Sequence, residues 1–180
     1  MPYEPPPELT ALSLGEIADL VTARRLPPVT DWTPSETLDS GIEIRADGSW
    51  YHEGGRIERP AMVRAFSSLL MRDAAGDYWL CTPHQRHAVQ VVDAAFVAVD
   101  VVAREGALVF RLNTDDLIVA GPDHPLRAAG TAEQPAIYLG VRHGCEARIN
   151  RSTWLQLVEL ADGDDWAVTS QGLRFPLVPA

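Results

Sequence analysis

At 180 residues the chain sits between one ordinary domain and two, long enough to bury a sizeable core. Hydrophobic residues make up 46% and charged residues 22%, the balance of a soluble globular protein. A net charge of −10 argues against a nucleic-acid backbone as partner, which needs a positive field, but leaves room for a small anion gathered by a local arginine cluster.

Residues 1–8 read as a mobile, proline-rich lead. They show neither the basic n-region nor the apolar h-region of a signal peptide, and the longest apolar run, near Ala94–Val102, is too short to span a bilayer. A cytoplasmic protein without membrane partners is therefore expected, and two cysteines in apolar strands, Cys81 and Cys145, suit a reducing compartment. Ser13-Leu-Gly-Glu16 has capping-box spacing, and Leu14, Ile17, Ala18 and Val21 share a face, which predicts a helix over 14–24. Pro27 and Pro28 end it, and an irregular connection anchored by Trp32 runs to Pro34. Ile42–Arg45 and Ser49–His52 alternate as hairpin strands around Ala46-Asp-Gly.

The stretch from Ser49 to Met71 carries the densest signals. Gly54-Gly55 supply the φ > 0 backbone of a two-residue hairpin, and Pro60 suits a first helical position. Met62, Val63, Phe66, Leu69 and Leu70 then recur at helical spacing, which predicts a helix reaching Met71. A strand follows at Tyr78–Thr82, stopped by Pro83. From His87 the texture is β: runs at His87–Val92, Ala95–Ala103, Ala107–Asn113 and Leu117–Ala120 predict an antiparallel meander. A long loop spans Gly121–Pro135, a second hairpin turns at His143-Gly144, and a helix at 152–161 leads into strands at Trp166–Thr169 and Leu173–Leu177. The boundary is expected at Pro83–Arg86, dividing 9–85 from 86–180. Ile57, Arg59, Met62, Val63 and Phe66 also line up with Ile149, Arg151, Trp154, Leu155 and Val158, ninety-two residues on. That alignment reads as an internal duplication of a strand-hairpin-helix-strand unit, with chance similarity of two helix starts as the alternative.

The candidate chemistry falls into three groups. His52, beside Glu53 before the Gly-Gly turn, has the pKa range of an acid or base, or is a strand histidine at a sheet edge. Neither Gly-x-Ser-x-Gly nor His-Glu-x-x-His occurs, and no nucleophile joins His52 at a recognisable spacing. Cys81, His84 and His87, with His143 and Cys145 elsewhere, have zinc-capable side chains but lack the paired spacing of a structural site, so no metal and no cofactor is expected. All 15 basic residues are arginine, the better bidentate partner for phosphate or carboxylate, although a GC-rich genome gives the same bias. Arg56, Arg59, Arg86, Arg111, Arg142 and Arg151 flank turns or helix starts, where they either hold an anion or pair with acids such as Glu58 and Glu146.

The segments 50–60 (Trp-Tyr-His-Glu-Gly-Gly-Arg-Ile-Glu-Arg-Pro), 78–83 (Tyr-Trp-Leu-Cys-Thr-Pro), 110–116 (Phe-Arg-Leu-Asn-Thr-Asp-Asp), 124–127 (His-Pro-Leu-Arg) and 147–151 (Ala-Arg-Ile-Asn-Arg) together resemble the bacterial family called domain of unknown function 1285. The resemblance runs over nearly the whole chain from about residue 12. It implies an α+β fold with internal duplication, a C-terminal half built as a curved antiparallel sheet with one helix, similar to pleckstrin-homology-like folds, and a ligand site between the halves. The residues it carries over are His52, Arg59, Thr82, Arg111, Asn113, Asp116 and Arg151. Where the family has Pro-Val-Glu-Lys, this chain has Pro83-His84-Gln85-Arg86, which leaves a binding role for Arg86 and none for the acid.

The expectation is a binding module for a small anionic, nucleotide-like ligand, with Trp50 or Tyr138 stacking on it. A role in signal transduction or stress response, with a protein partner in that pathway, is attached to the family as a suggestion. Two alternatives stand beside it: a hydrolase or transferase using His52 as acid or base, and a protein-interaction module.

Overall fold

The computed structural model describes residues 4, 5 and 7–180, so the lead expected over 1–8 lies partly outside the described residues. Its α+β architecture rests on two six-stranded sheets. The first contains β1 (Glu36–Ile44), β2 (Trp50–His52), β3 (Gly55–Arg56), β4 (Leu70–Arg72), β5 (Tyr78–Cys81) and β6 (Gln85–Val91), in the order β3-β2-β1-β6-β5-β4. The second contains β7 (Phe96–Arg104), β8 (Ala107–Leu112), β9 (Leu117–Val119), β10 (Leu126–Gly130), β11 (Pro135–Arg142) and β12 (Cys145–Ile149), in the order β10-β11-β12-β7-β8-β9.

Read from opposite ends, the two orders are the same. Each sheet is a pair of three-stranded antiparallel meanders joined by parallel pairing of its first and last strands, β1 with β6 and β7 with β12. The chain is therefore internally duplicated, and its second sheet curls into a half-barrel. The register of the duplication differs from the one read in the sequence. β1 and β7 begin at residues 36 and 96, and β6 and β12 at 85 and 145, so the offset is 60 residues at both ends of the unit (96 − 36 and 145 − 85). The ninety-two-residue alignment had superposed α2 (Pro60–Ser67), which lies between β3 and β4, on α3 (Arg151–Glu159), which follows β12. Apolar residues at the spacing of a helix start recur wherever an amphipathic helix begins, so two unrelated starts matched.

Local departures have local causes. The first tight turn is centred on Glu53 and Gly54, at φ 48° and 84°, rather than on the two glycines, because His52 pairs with Gly55. α2 stops at Ser67 instead of reaching Met71. The hydroxyls of Ser67 and Ser68 bond back to the carbonyls of Arg64 and Ala65 at 2.8 and 2.5 Å, and Leu70–Arg72 leaves to pair with β5. The loop expected over 121–135 contains a strand, β10, paired along β11. The expected boundary at 83–86 coincides with the start of β6, which is held between β1 and β5, and the chain passes between the sheets at 92–95.

One apolar core joins both halves, with Trp50, Leu70 and Leu80 from the first and Phe96, Phe110, Leu139 and Leu157 from the second. α1 (Leu14–Ala23) is capped by the Ser13 hydroxyl, which accepts from Glu16 N at 3.2 Å. Although α1 precedes the first sheet in sequence, it docks on the second: Leu9, Leu12 and Ile17 form a separate cluster with Val102, Val109 and Leu117. α3 packs on β7, and the closing hairpin of β13 (Ala167–Ser170) and β14 (Leu173–Pro176) lies against β10. A curled sheet carrying one helix is compatible with the pleckstrin-homology-like form expected of this half. Among the described residues no helix is long and apolar enough to cross a membrane.

Candidate functional site

The turn from β8 to β9 contains Asn113, Thr114, Asp115 and Asp116. Asp115 takes a left-handed conformation at φ 64°, which a short acidic side chain tolerates, and the Leu112 amide donates to the Asp116 carbonyl at 2.9 Å. The turn buries the Asp116 side chain to 2% exposure, where an unpaired carboxylate would be costly. Three guanidinium groups from three separate elements meet it. Arg24, at the C-terminal cap of α1, donates to Oδ1 at 2.8 Å; Arg142, at the end of β11, reaches Oδ2 at 3.4 Å; and Arg64, in the last turn of α2, stands 3.6 Å from Oδ1. Thr114 adds a hydroxyl bond to Oδ2 at 2.6 Å, and Arg64 donates to the Thr114 carbonyl at 2.6 Å.

Burial pushes the Asp116 carboxyl up, but Arg142, the Thr114 hydroxyl and Arg24 outweigh it and hold it below the usual carboxylate range. Burial likewise lowers Arg142, against the opposing pull of Asp116. The arrangement crowds three guanidinium groups onto one buried carboxylate, with Asp115 and Glu4 as the other acids close by. It also leaves hydrogen-bonding capacity over: among the described residues, the buried Arg24 Nη2 and Arg142 Nε have no partner. This cluster borders a cavity of about 320 Å³ between α1, α2 and the second sheet, with Leu20, Val21 and Leu26 on one wall and Leu117, Val119 and Val141 on another.

Of the residues singled out in the sequence, Asp116 and Arg142 are at this cavity. Asn113 lies beside it as a joint between the halves, its Oδ1 accepting from Val97 N at 3.0 Å and its Nδ2 donating to the Gly48 carbonyl at 3.1 Å. Arg111 holds Asp115 at 2.6 Å. Trp50 is 1% exposed and stacked on Phe66 at 6.5 Å, so its ring belongs to the core and is not placed to stack on a ligand. His52 and Arg59 are exposed on and after the first hairpin. Thr82 closes the β5–β6 turn by accepting from Gln85 N at 3.1 Å, and Arg86 lies 4.0 Å over Trp79. Tyr138 donates to Asp93 at 2.6 Å under Arg127 and Arg148, while Arg151 borders a different cleft with Trp154. The set does not converge on one place.

Among the described residues no group of three or more His, Cys, Asp or Glu could hold a metal ion. Cys81 and Cys145 are buried thiols, and burial pushes Cys145 up to about 12. Arg142 stood among the arginines noted at turns, whereas Arg24 and Arg64 were missed. The available signal was a basic residue at the C-terminal end of each helix, Arg24 as a cap and Arg64 in a last turn, which serves equally as an ordinary helix end.

The family models of the DUF1285 N-terminal domain (domain of unknown function) and C-terminal domain (protein of unknown function) match residues 27–94 and 95–177. A crystal structure of a DUF1285 family protein from Silicibacter pomeroyi DSS-3 is 38% identical, covers 90% of this chain and 94% of its own, and superposes with a TM-score of 0.78. A second, from Shewanella baltica OS155, is 23% identical over 67% of this chain and 92% of its own, at a TM-score of 0.56, and shares the fold. No curated protein matches. The chain belongs to the DUF1285 family.

Proposed function

We propose that this DUF1285 chain is a binding module for a small anionic ligand, taken up in the cavity beside Arg24, Arg64 and Arg142. The observation that carries the reading is the pair of buried guanidinium nitrogens beside the cavity, Arg24 Nη2 and Arg142 Nε, that stand unpartnered. An oxyanion entering there would supply the missing partners. Binding is favoured over catalysis because Asp116, ionised and held by arginine, is a poor proton acceptor. His124, which also lines the cavity, has its Nδ1 3.0 Å from the Gly140 carbonyl oxygen. The walls come from α1, α2 and the second sheet, so a bound ligand would change how firmly these pieces hold together, as a signalling module requires.

Titration calorimetry with inorganic phosphate, adenosine monophosphate and octanoate tests the reading on wild type and on Arg142→Met. Saturable heat from at least one probe, absent in a folded Arg142→Met, is the expected result. Flat titrations from folded wild type, or heats unchanged by the substitution, would overturn it.

A further inference from the structure

Resting on the anion-binding reading above, we infer that the ligand is amphiphilic: a compact oxyanion, carboxylate or phosphate, on an aliphatic body. The chemistry of the cavity divides in two. Its charged end is the guanidinium cluster at Asp116. Aliphatic side chains make up most of the rest, among them these six: Leu20, Val21, Leu26, Leu117, Val119 and Val141, with Glu4, Asp115 and His124 as polar members.

Three of these six are large apolar side chains left in contact with water, Leu20 at 37%, Val21 at 41% and Leu26 at 38% exposure. They follow one another along the end of α1 and the segment after it, so their exposed surface is contiguous with the cavity mouth. Leu20 and Val21 stand three and four residues after Ile17, on the face of α1 that docks on the second sheet, so they carry that face beyond the contact and onto the cavity. Scattered apolar exposure needs no explanation, but three partly exposed aliphatic side chains lining one cavity beside unpartnered guanidinium nitrogens suit the apolar body of a ligand.

A nucleoside fits these walls poorly. Among the described residues the cavity presents no aromatic ring of Phe, Tyr or Trp to a base. Glu4 and Asp115 border it, and Asp115 is already held by Arg111. An aliphatic chain asks nothing of the walls except burial, and its head would take the place that the unpartnered Arg24 Nη2 and Arg142 Nε leave open.

The test is a chain-length series on the full chain by titration calorimetry: acetate, butyrate, hexanoate and octanoate, with inorganic phosphate, octyl phosphate, adenosine monophosphate and octanol alongside. Affinity should rise about fourfold for each methylene buried, from acetate towards octanoate. Leu20→Gln, a surface change on a helix, should flatten that slope. Octyl phosphate binding more tightly than octanoate would assign the head to phosphate, and the reverse order to carboxylate. Arginine-dependent binding of acetate or adenosine monophosphate with no gain along the series would overturn the amphiphile and leave the anion reading intact. Octanol binding as tightly as octanoate would overturn both, since the charged head would then contribute nothing.

Discussion

Replacing Asp116 by Asn tests the physical centre of the site while keeping its shape. The substitution removes the buried negative charge that Arg24, Arg64 and Arg142 share, whose side chains are only 20%, 21% and 10% exposed. It also turns one carboxylate oxygen into an amide donor, aimed where Thr114 and Arg142 now donate. Removing one partner of a buried ion pair typically costs about 3–5 kcal/mol, because the remaining charge is left without compensation. For a chain of this size that corresponds to a fall in Tm of roughly 6–20 °C. Urea denaturation followed by tryptophan fluorescence reads the loss as a lower midpoint at unchanged slope. The pH profile gives a second readout. With its folded pKa below its unfolded value, Asp116 contributes stability that is fully present above the unfolded value of about 3.9 and is lost as pH falls through the folded one. Asp116→Asn should lack that part of the acid limb. If the site takes an anion, inorganic phosphate should restore the variant more than it stabilises wild type. A loss below about 1 kcal/mol would refute the reasoning, since the arginines would then behave as solvated surface charges.

Two further outcomes follow from the joint between the halves, where the Arg72 amide donates to the His143 carbonyl at 2.9 Å. Gly144→Ala should destabilise markedly more than Gly54→Ala by urea midpoint. Both glycines have positive φ, worth about 1–2 kcal/mol to a side chain, but a Cβ on Gly144 would lie 2.5 Å from the Arg72 carbonyl oxygen while one on Gly54 meets nothing within 4 Å. Burial first, and Arg142 second, hold His143 below its ordinary value, so its contribution to stability is present above the unfolded pKa of about 6.5 and is lost as pH falls through the folded value. His143→Asn, which tolerates the same left-handed backbone, should flatten the stability profile in that window, and an unchanged profile would show that another group titrates there.

What was legible in the sequence was what short-range chemistry decides. Ser13 opens α1 and Pro60 opens α2 as their residue types require, and apolar alternation found most strands of both sheets. The end of α2 was not legible, because Leu69 and Leu70 satisfy a helical stripe as well as a strand, and only pairing of Leu70 with Leu80 decides between them. β10 was hidden for a similar reason: Ala128, Ala129 and Gly130 carry no strand propensity, and the strand exists because β11 offers an edge. The arginine cluster lay further out of reach. Arg24 and Asp116 are ninety-two positions apart, and nothing local in either says that α1 will cross to the second sheet.

That crossing explains why the cavity is not where a simple duplication would put it. Two sheets of the same strand order meet at a seam, which is closed at two points: Asn113 ties Gly48 to Val97, and Gly144 packs against Arg72. The cavity beside Arg24 opens where something outside the repeated unit leans on it. α1 and Leu26 precede the range over which the family's N-terminal domain model matches, whereas Arg64, Asp116 and Arg142 lie within the matched ranges. Most of the charged end thus belongs to the duplicated body, while Arg24 and the exposed apolar wall come from the added helix. On the proposed reading the body would set the sign of the ligand, and the added helix what hangs from it. A change in α1 that keeps Ile17 seated on the second sheet would then alter the preference for the ligand's apolar part without touching the core that holds the two sheets together.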